Sequence, residues 1–142
     1  MSLRTAYLRM HRRADAHFTE GGLTADQFVL LNALADDCPT TQRALADRIA
    51  CDPNTLRAML LLLERRCLIV RDSHPTDGRA RLVSPTPEGL ALRQRLWESN
   101  AAFRRSLVDV LGDAESATFI DHLKRFGASL AATDPRTKEP VI

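Results

Sequence analysis

Residues 52–83 read DPNTLRAMLLLLERRCLIVRDSHPTDGRARLV, and the hydrophobic period changes once within them, near position 67. Asp52 offers a side-chain oxygen to the unpaired N–H groups of a helix start. Pro53 takes the first helical position, where its missing N–H costs nothing. From Pro53 to about Arg66, Leu56, Met59, Leu60 and Leu63 fall on one side at about 100° per residue, which makes that side a buried face. Asn54, Arg57, Ala58, Leu61 and Arg65 lie broadly opposite. Past Cys67 the pattern is extended: Leu68 to Arg71 and Arg79 to Val83 read as strands. Asp72 to Gly78, rich in turn formers, joins them as the long tip of a β-hairpin.

Working outward, Thr41 to Ala50 reads as a short helix with Leu45, Ala46 and Ile49 inward, and Cys51-Asp52 as a tight turn. Thr24-Ala25-Asp26-Gln27 has the form of a capping box, with Leu23 and Phe28 as its hydrophobic staple, and opens a helix to about Ala35. Leu3 to Phe18 is a helix stopped by Gly21-Gly22, with Leu3, Tyr7, Met10, Ala14 and His17 as its stripe. Thr86-Pro87 opens one long helix to about Leu111, with Leu92, Leu96, Phe103, Leu107 and Val110 as its stripe. Gly112 ends it, and Asp113 caps a last helix to about Ala132 that buries Ile120, Leu123, Gly127 and Leu130. The chain is therefore expected to be mainly α with a small β-hairpin wing, an α+β winged helix-turn-helix with N- and C-terminal dimerisation helices. Neither end helix has an evident core within the central module, so both are expected in a bundle shared by two subunits. The expected division is dimerisation helices at 1–20 and 87–132, a winged helix-turn-helix at 21–86, and a flexible tail at 133–142.

The length of 142 residues suits one domain or a small module with dimerisation arms, and 44% apolar against 27% charged residues suits a packed core. The longest apolar run, Ala58 to Leu63, is far short of the ~20 residues that span a bilayer, and no export signal is visible. Cys38, Cys51 and Cys67 form no CxxC pair, so neither a disulfide framework nor structural zinc is expected, and the compartment reads as a reducing cytoplasm. No nucleophile elbow, phosphate-cradling loop, HExxH or paired-carboxylate motif is present, so the reading is not an enzyme and calls for no cofactor.

Charge is unevenly placed. Residues 41–84 carry eight Arg against five acids, whereas residues 21–40 carry three acids and no Lys or Arg. Of 20 basic residues 18 are Arg, whose planar fork suits phosphates and base edges; a GC-rich genome would produce the same bias. A helix entering a major groove needs short donors near its N-terminus. Asn54, Thr55 and Arg57 supply them, Arg for guanine and Asn for adenine. At the hairpin tip Asp77 and Arg79, two apart, share a strand face, so the carboxylate can orient a guanidinium directed into a narrow minor groove. The DNA-facing set is Thr41, Asn54, Thr55, Arg57, Ala58, Leu61, His74, Asp77, Arg79 and Arg81, with double-stranded DNA as the partner.

Leu45-Ala46-Asp47-Arg48-Ile49, Asp52 to Leu63, Glu64 to Ile69 and Asp77-Gly78-Arg79-Ala80-Arg81-Leu82-Val83-Ser84-Pro85-Thr86-Pro87-Glu88-Gly89 resemble the MarR family of bacterial transcriptional regulators. The wing pattern, Asp-x-Arg, an extended run and Thr-x-x-Gly, is its specific part. The resemblance implies a homodimer with interleaved terminal helices and a pseudo-palindromic operator. It also implies a repressor released by a small anionic or phenolic effector. It places Asn54, Thr55, Arg57 and Ala58 on the groove-reading segment, Arg79 as the minor-groove arginine and Asp77 as its orienting acid. Ala58, the outward Leu61 and Leu62, and Pro85 depart from the family pattern. So does Cys67, which stands where a glycine usually ends the helix and so denies that end its usual left-handed residue.

For effector binding the candidates are His11, His17 and Phe28. Two alternatives stand beside the repressor: a winged helix used for protein contact through its outward leucines, and an oxidant-sensing regulator. Cys38 is the thiol expected to be exposed, but Asp36 and Asp37 would raise its pKa. The four histidines form no metal cluster in sequence.

Overall fold

A computed structural model describes residues 2–36 and 39–133. In chain order it comprises α1 (Ser2–Glu20), α2 (Ala25–Asp36), β1 (Thr40–Thr41), α3 (Gln42–Arg48), α4 (Pro53–Arg65), β2 (Ile69–Ser73), β3 (Arg81–Pro85), α5 (Pro87–Ser99), α6 (Ala101–Val108) and α7 (Asp113–Thr133). The expected α+β winged helix-turn-helix is present. Cys38 and the tail after Thr133 lie outside the described residues. Two compact units divide between Asn100 and Ala101.

In the first unit, leucines packed from successive helices make the core. Leu30, Leu31 and Leu34 of α2, Leu45 of α3, and Leu56, Leu60 and Leu63 of α4 are all buried, with Ile69 and Val83 of the sheet and Leu92 and Leu96 of α5. Phe18 and Phe28 stack with ring centroids 4.1 Å apart. Full burial of each such side chain contributes ~1.5–3 kcal/mol. The capping box is formed: Thr24 N–H donates to Gln27 Oε1 at 3.1 Å, and Gln27 N–H to Thr24 Oγ1 at 3.2 Å. α1 and α5 each pack on α2, in the same unit as the 21–86 module.

The sheet has a strand that the periodicity did not reveal. Its order is β1-β3-β2, all antiparallel, with Thr40 opposite Val83 and Thr41 opposite Leu82. Two residues are too few to show alternation. The hairpin's second strand begins at Arg81, not Arg79, because Ser73 pairs with Arg81 and leaves His74 to Ala80 as the tip.

The expected single helix from Pro87 to Leu111 is two helices. At the break Ser99 Oγ donates to the Leu96 carbonyl at 3.1 Å, and the Asn100 N–H reaches the same oxygen at 3.2 Å.

In the second unit, Gly112 at φ +81° turns α6 into α7. Its N–H donates to the Val108 carbonyl at 2.8 Å, and its own carbonyl accepts the Ser116 N–H at 3.0 Å. Asp113 is thus the first residue of α7 rather than its cap, and its carboxylate takes Arg105 at 3.1 Å. The burial expected of Ile120, Leu123 and Leu130 is absent in the single chain: each is exposed, as are Phe119 and Phe126. On α1, Leu3, Tyr7 and Met10 are likewise exposed. Both stripes are therefore exposed apolar surface among the described residues.

Candidate nucleic-acid interface

The helix-turn-helix is α3, the turn at Ile49–Asp52, and α4. Asp52 caps α4 as expected, its Oδ1 accepting N–H groups of Asn54 at 2.6 Å and Thr55 at 3.2 Å. With those backbone donors satisfied, the side chains of Asn54 and Thr55 remain exposed. Arg57, Ala58, Leu61, Leu62 and Arg65 share the exposed side of α4, opposite Leu56, Leu60 and Leu63. Among the described residues the Arg57 guanidinium has no bonded partner, leaving its fork available. Thr41 caps α3, its Oγ1 accepting the Ala44 N–H at 3.1 Å, so that hydroxyl has an internal duty.

Both turns of this module use non-glycine residues in the left-handed region: Ala50 at φ 50° and Cys67 at φ 56°. Cys67 therefore does take the conformation that its side chain was expected to deny it. One local and one long-range bond close the end: Leu68 N–H donates to the Leu63 carbonyl at 3.0 Å, and Thr86 Oγ1 donates to the Cys67 carbonyl at 2.7 Å. A left-handed non-glycine residue costs about 1–2 kcal/mol, which this closure offsets.

α4 is clamped to the wing by an ion pair of Arg71 with Glu64, the Arg71 Nε donating at 3.0 Å. That guanidinium's hydrogen bond, above all, holds the Glu64 carboxyl below its usual pKa. At the other side of α4, Arg66 donates to the carbonyl of Gly22.

The wing tip departs from its expected arrangement. Asp77 Oδ1 accepts the backbone N–H of Arg79 at 2.9 Å rather than its guanidinium. Asp77 therefore shapes the turn, and both residues sit in the tip rather than on one strand face. The Arg79 side chain is exposed and has no bonded partner among the described residues. Arg81 donates to Ser73 Oγ at 2.7 Å across the hairpin. His74 directs Nδ1 at the N–H groups of Thr76 and Asp77, at 3.3 and 3.2 Å.

The Thr-x-x-Gly element is structural. Thr86 caps α5 by accepting the Gly89 N–H at 3.0 Å, and its own N–H donates to the Leu68 carbonyl at 3.0 Å.

Of His11, His17 and Phe28, Phe28 alone lines the hollow described below. His11 Nε2 lies 3.1 Å from Asp26 Oδ1 and its ring is tilted against Tyr7; His17 is exposed. Phe28 lines a hollow of about 560 Å³ between α2, the end of α3 and α5, together with Val29, Asn32, Arg48, Ile49 and Trp97. Arg93 stands at its edge, donating to Asn32 Oδ1 at 2.9 Å, with its guanidinium carbon 5.9 Å from the Trp97 ring centre. Sequence reading missed Asn32, Arg48, Arg93 and Trp97. Arg93 and Trp97, one helical turn apart, were the available signal; their meeting with α2 is tertiary. The Cys51 thiol is pushed up in pKa by burial first and then by Asp52 and Asp26, which disfavours its reactive thiolate. Among the described residues no His, Cys, Asp and Glu groups gather as a metal site, and no helix is long and apolar enough to cross a membrane.

A capped helix with a polar outer face, set beside a hairpin with an arginine at its tip, defines a winged helix-turn-helix of the kind that reads duplex DNA. No family profile matches the chain. Over 121 residues it is 30% identical to a protein of Thauera aromatica assigned as transcriptional regulator of the hcr operon, covering 85% of this chain and 73% of that one. The fold matches the transcriptional repressor CouR bound to a 23-mer DNA duplex, with TM-score 0.80, 26% identity, and coverage of 88% and 89% of the two chains. It also matches the PcaV regulator of Streptomyces coelicolor in complex with its natural ligand, with TM-score 0.75, 26% identity, and coverage of 88% and 91%. The chain belongs to the MarR family of transcriptional regulators.

Proposed function

We propose that two copies of the chain form a cytoplasmic repressor that binds a pseudo-palindromic operator and leaves it when a small aromatic anion binds. It is read as a regulator and not as an enzyme, in keeping with its relatives. The observation that carries the reading is the outer face of α4. There Asn54, Thr55 and Arg57 stand exposed and unengaged, in the same unit as the unpaired Arg79 at the wing tip. In this reading α4 enters the major groove and Arg79 the adjoining minor groove, while Arg81 and Thr41 serve the phosphates. Leu61, next to Ala58, contacts a thymine methyl. The apolar stripes of α1 and α7 are the dimerisation surfaces. The DNA-bound CouR complex supports the duplex as partner.

Selection from a random duplex pool, followed by titration at several salt concentrations, tests this. Binding should fall steeply with salt, because each phosphate contact releases counterions. Salt-insensitive association with protein, and none with DNA, would favour contact through Leu61 and Leu62 instead.

The hollow beside α2 supports the effector part. Phe28, Val29, Ile49 and Trp97 offer apolar walls, and Arg48 and Asn32 the few polar groups that orient a ligand. Because Arg48 and Ile49 belong to the end of α3 and its turn, a ligand there bears directly on the helix-turn-helix. Trp97 is the chain's single tryptophan, so titration with substituted benzoates and phenylacetates should change its fluorescence and release the duplex. A fluorescence change without release would remove the hollow from the regulatory role.

A further inference from the structure

We propose that His74 is a positioning residue that must be neutral, and that its unprotonated Nδ1 sets the wing tip in the shape that presents Arg79 to DNA. The inference rests on the DNA-binding reading above. Nδ1 faces three donors: the N–H of Thr76 at 3.3 Å, the N–H of Asp77 at 3.2 Å, and the Thr76 hydroxyl at 3.3 Å. Two of these are backbone amides, which can only donate, so the ring nitrogen between them has to be the acceptor. The circuit continues along the tip. Asp77 passes it on through its carboxylate to the Arg79 N–H at 2.9 Å and through its carbonyl to the Ala80 N–H at 3.0 Å. The Ala80 carbonyl then accepts the His74 N–H at 3.2 Å, which closes the loop.

Protonation puts a hydrogen on Nδ1 and aims it at two amide hydrogens. The lone pair that held Thr76 and Asp77 is lost, and with it the turn that fixes the Arg79 backbone. The charged side chains of the same hairpin are Arg71 and Asp72 on β2, Asp77 and Arg79 in the tip, and Arg81 on β3. Among the described residues none of them bonds the ring; Arg81 is held by Ser73 and the Asp77 carboxylate by the Arg79 N–H. A histidine that simply met a phosphate would behave in the opposite sense, binding more tightly when charged.

The test is fluorescence anisotropy with the tightest duplex from the selection, at fixed ionic strength, near pH 7.5 and pH 5.5. Wild type should weaken by about fivefold or more at the lower pH, at least the effect of one lost hydrogen bond. His74→Asn keeps an acceptor at the same distance from the backbone and does not titrate. It should bind more tightly than His74→Ala and lose the pH dependence. His74→Ala should be weak at both, with unchanged thermal melting of the fold. Three results would overturn the proposal: tighter wild-type binding at low pH, a persisting pH dependence in His74→Asn, or full-strength binding by His74→Ala. Absence of any wild-type binding near pH 7.5 would instead count against the DNA-binding reading itself.

Discussion

Gly89, in the first turn of α5, lies against the carbonyl of Leu68: a Cβ at position 89 would overlap that oxygen and come within 3.0 Å of the carbonyl carbon. The glycine of the wing signature is therefore a packing requirement. It lets α5 start directly on the residue that precedes β2, where the same carbonyl accepts the Thr86 N–H. Gly89→Ala should destabilise the protein by ~1–3 kcal/mol, the range for overpacking against a wall that cannot move. Urea denaturation at fixed protein concentration would read it; an unchanged midpoint would show that α5 can shift.

Cys67 occupies the left-handed region with a side chain that disfavours it. Cys67→Gly removes that strain while adding the entropic freedom of glycine in the unfolded chain, so the net gain should be about 0.5–1 kcal/mol. Thermal unfolding followed by circular dichroism should shift upward by a few degrees. A loss of stability would mean that the thiol makes a contact worth more than the strain.

Glu64 is held deprotonated by Arg71. Its folded pKa lies below its unfolded one, so the pair stabilises at pH values above the ordinary carboxylate range and stops doing so as pH falls through the lowered value. Because the carboxylate is about one-third exposed, the contribution is screened, and Glu64→Gln should cost less than ~1 kcal/mol near neutrality. In strongly acid solution, below that lowered value, the variant and wild type should converge. An equal difference at both pH values would assign the effect to packing.

Arg79→Ala and Arg57→Ala should separate in kind. Loss of the wing arginine should weaken binding about tenfold or more, as expected for a charge-assisted contact, with the fold intact. Loss of Arg57 should relax base preference at one position per half-site, at ~1–3 kcal/mol. Repeating the duplex selection with each variant distinguishes them: a preference unchanged in Arg57→Ala retires its base-reading role.

The apolar stripes extend the same logic to assembly. Phe126→Glu on α7 puts a charge on a face exposed in the single chain. It should leave helix content unchanged yet shift sedimentation toward the monomer and weaken operator binding, since two half-sites need two subunits. A dimer that survives would place the interface elsewhere.

Local chemistry was legible from the residues alone. Asp52, Thr24 and Gln27 announce helix starts because a cap is satisfied within three residues of itself. Leu56, Leu60 and Leu63 announce the buried side of α4 because a helix carries its own period. With the Asp77–Gly89 pattern these sufficed for the winged helix-turn-helix and for the exposed face of Asn54, Thr55 and Arg57. Tertiary structure alone decided the rest: the pairing of Thr40 and Thr41 with β3, the hairpin register that moved Arg79 into the tip, and the turn-shaping roles of Asp77 and His74. It also decided the left-handed Cys67 and the hollow at Trp97. Each of these depends on which distant backbone group or helix face arrives at a given place, and that is fixed by packing of the whole unit rather than by the few residues on either side.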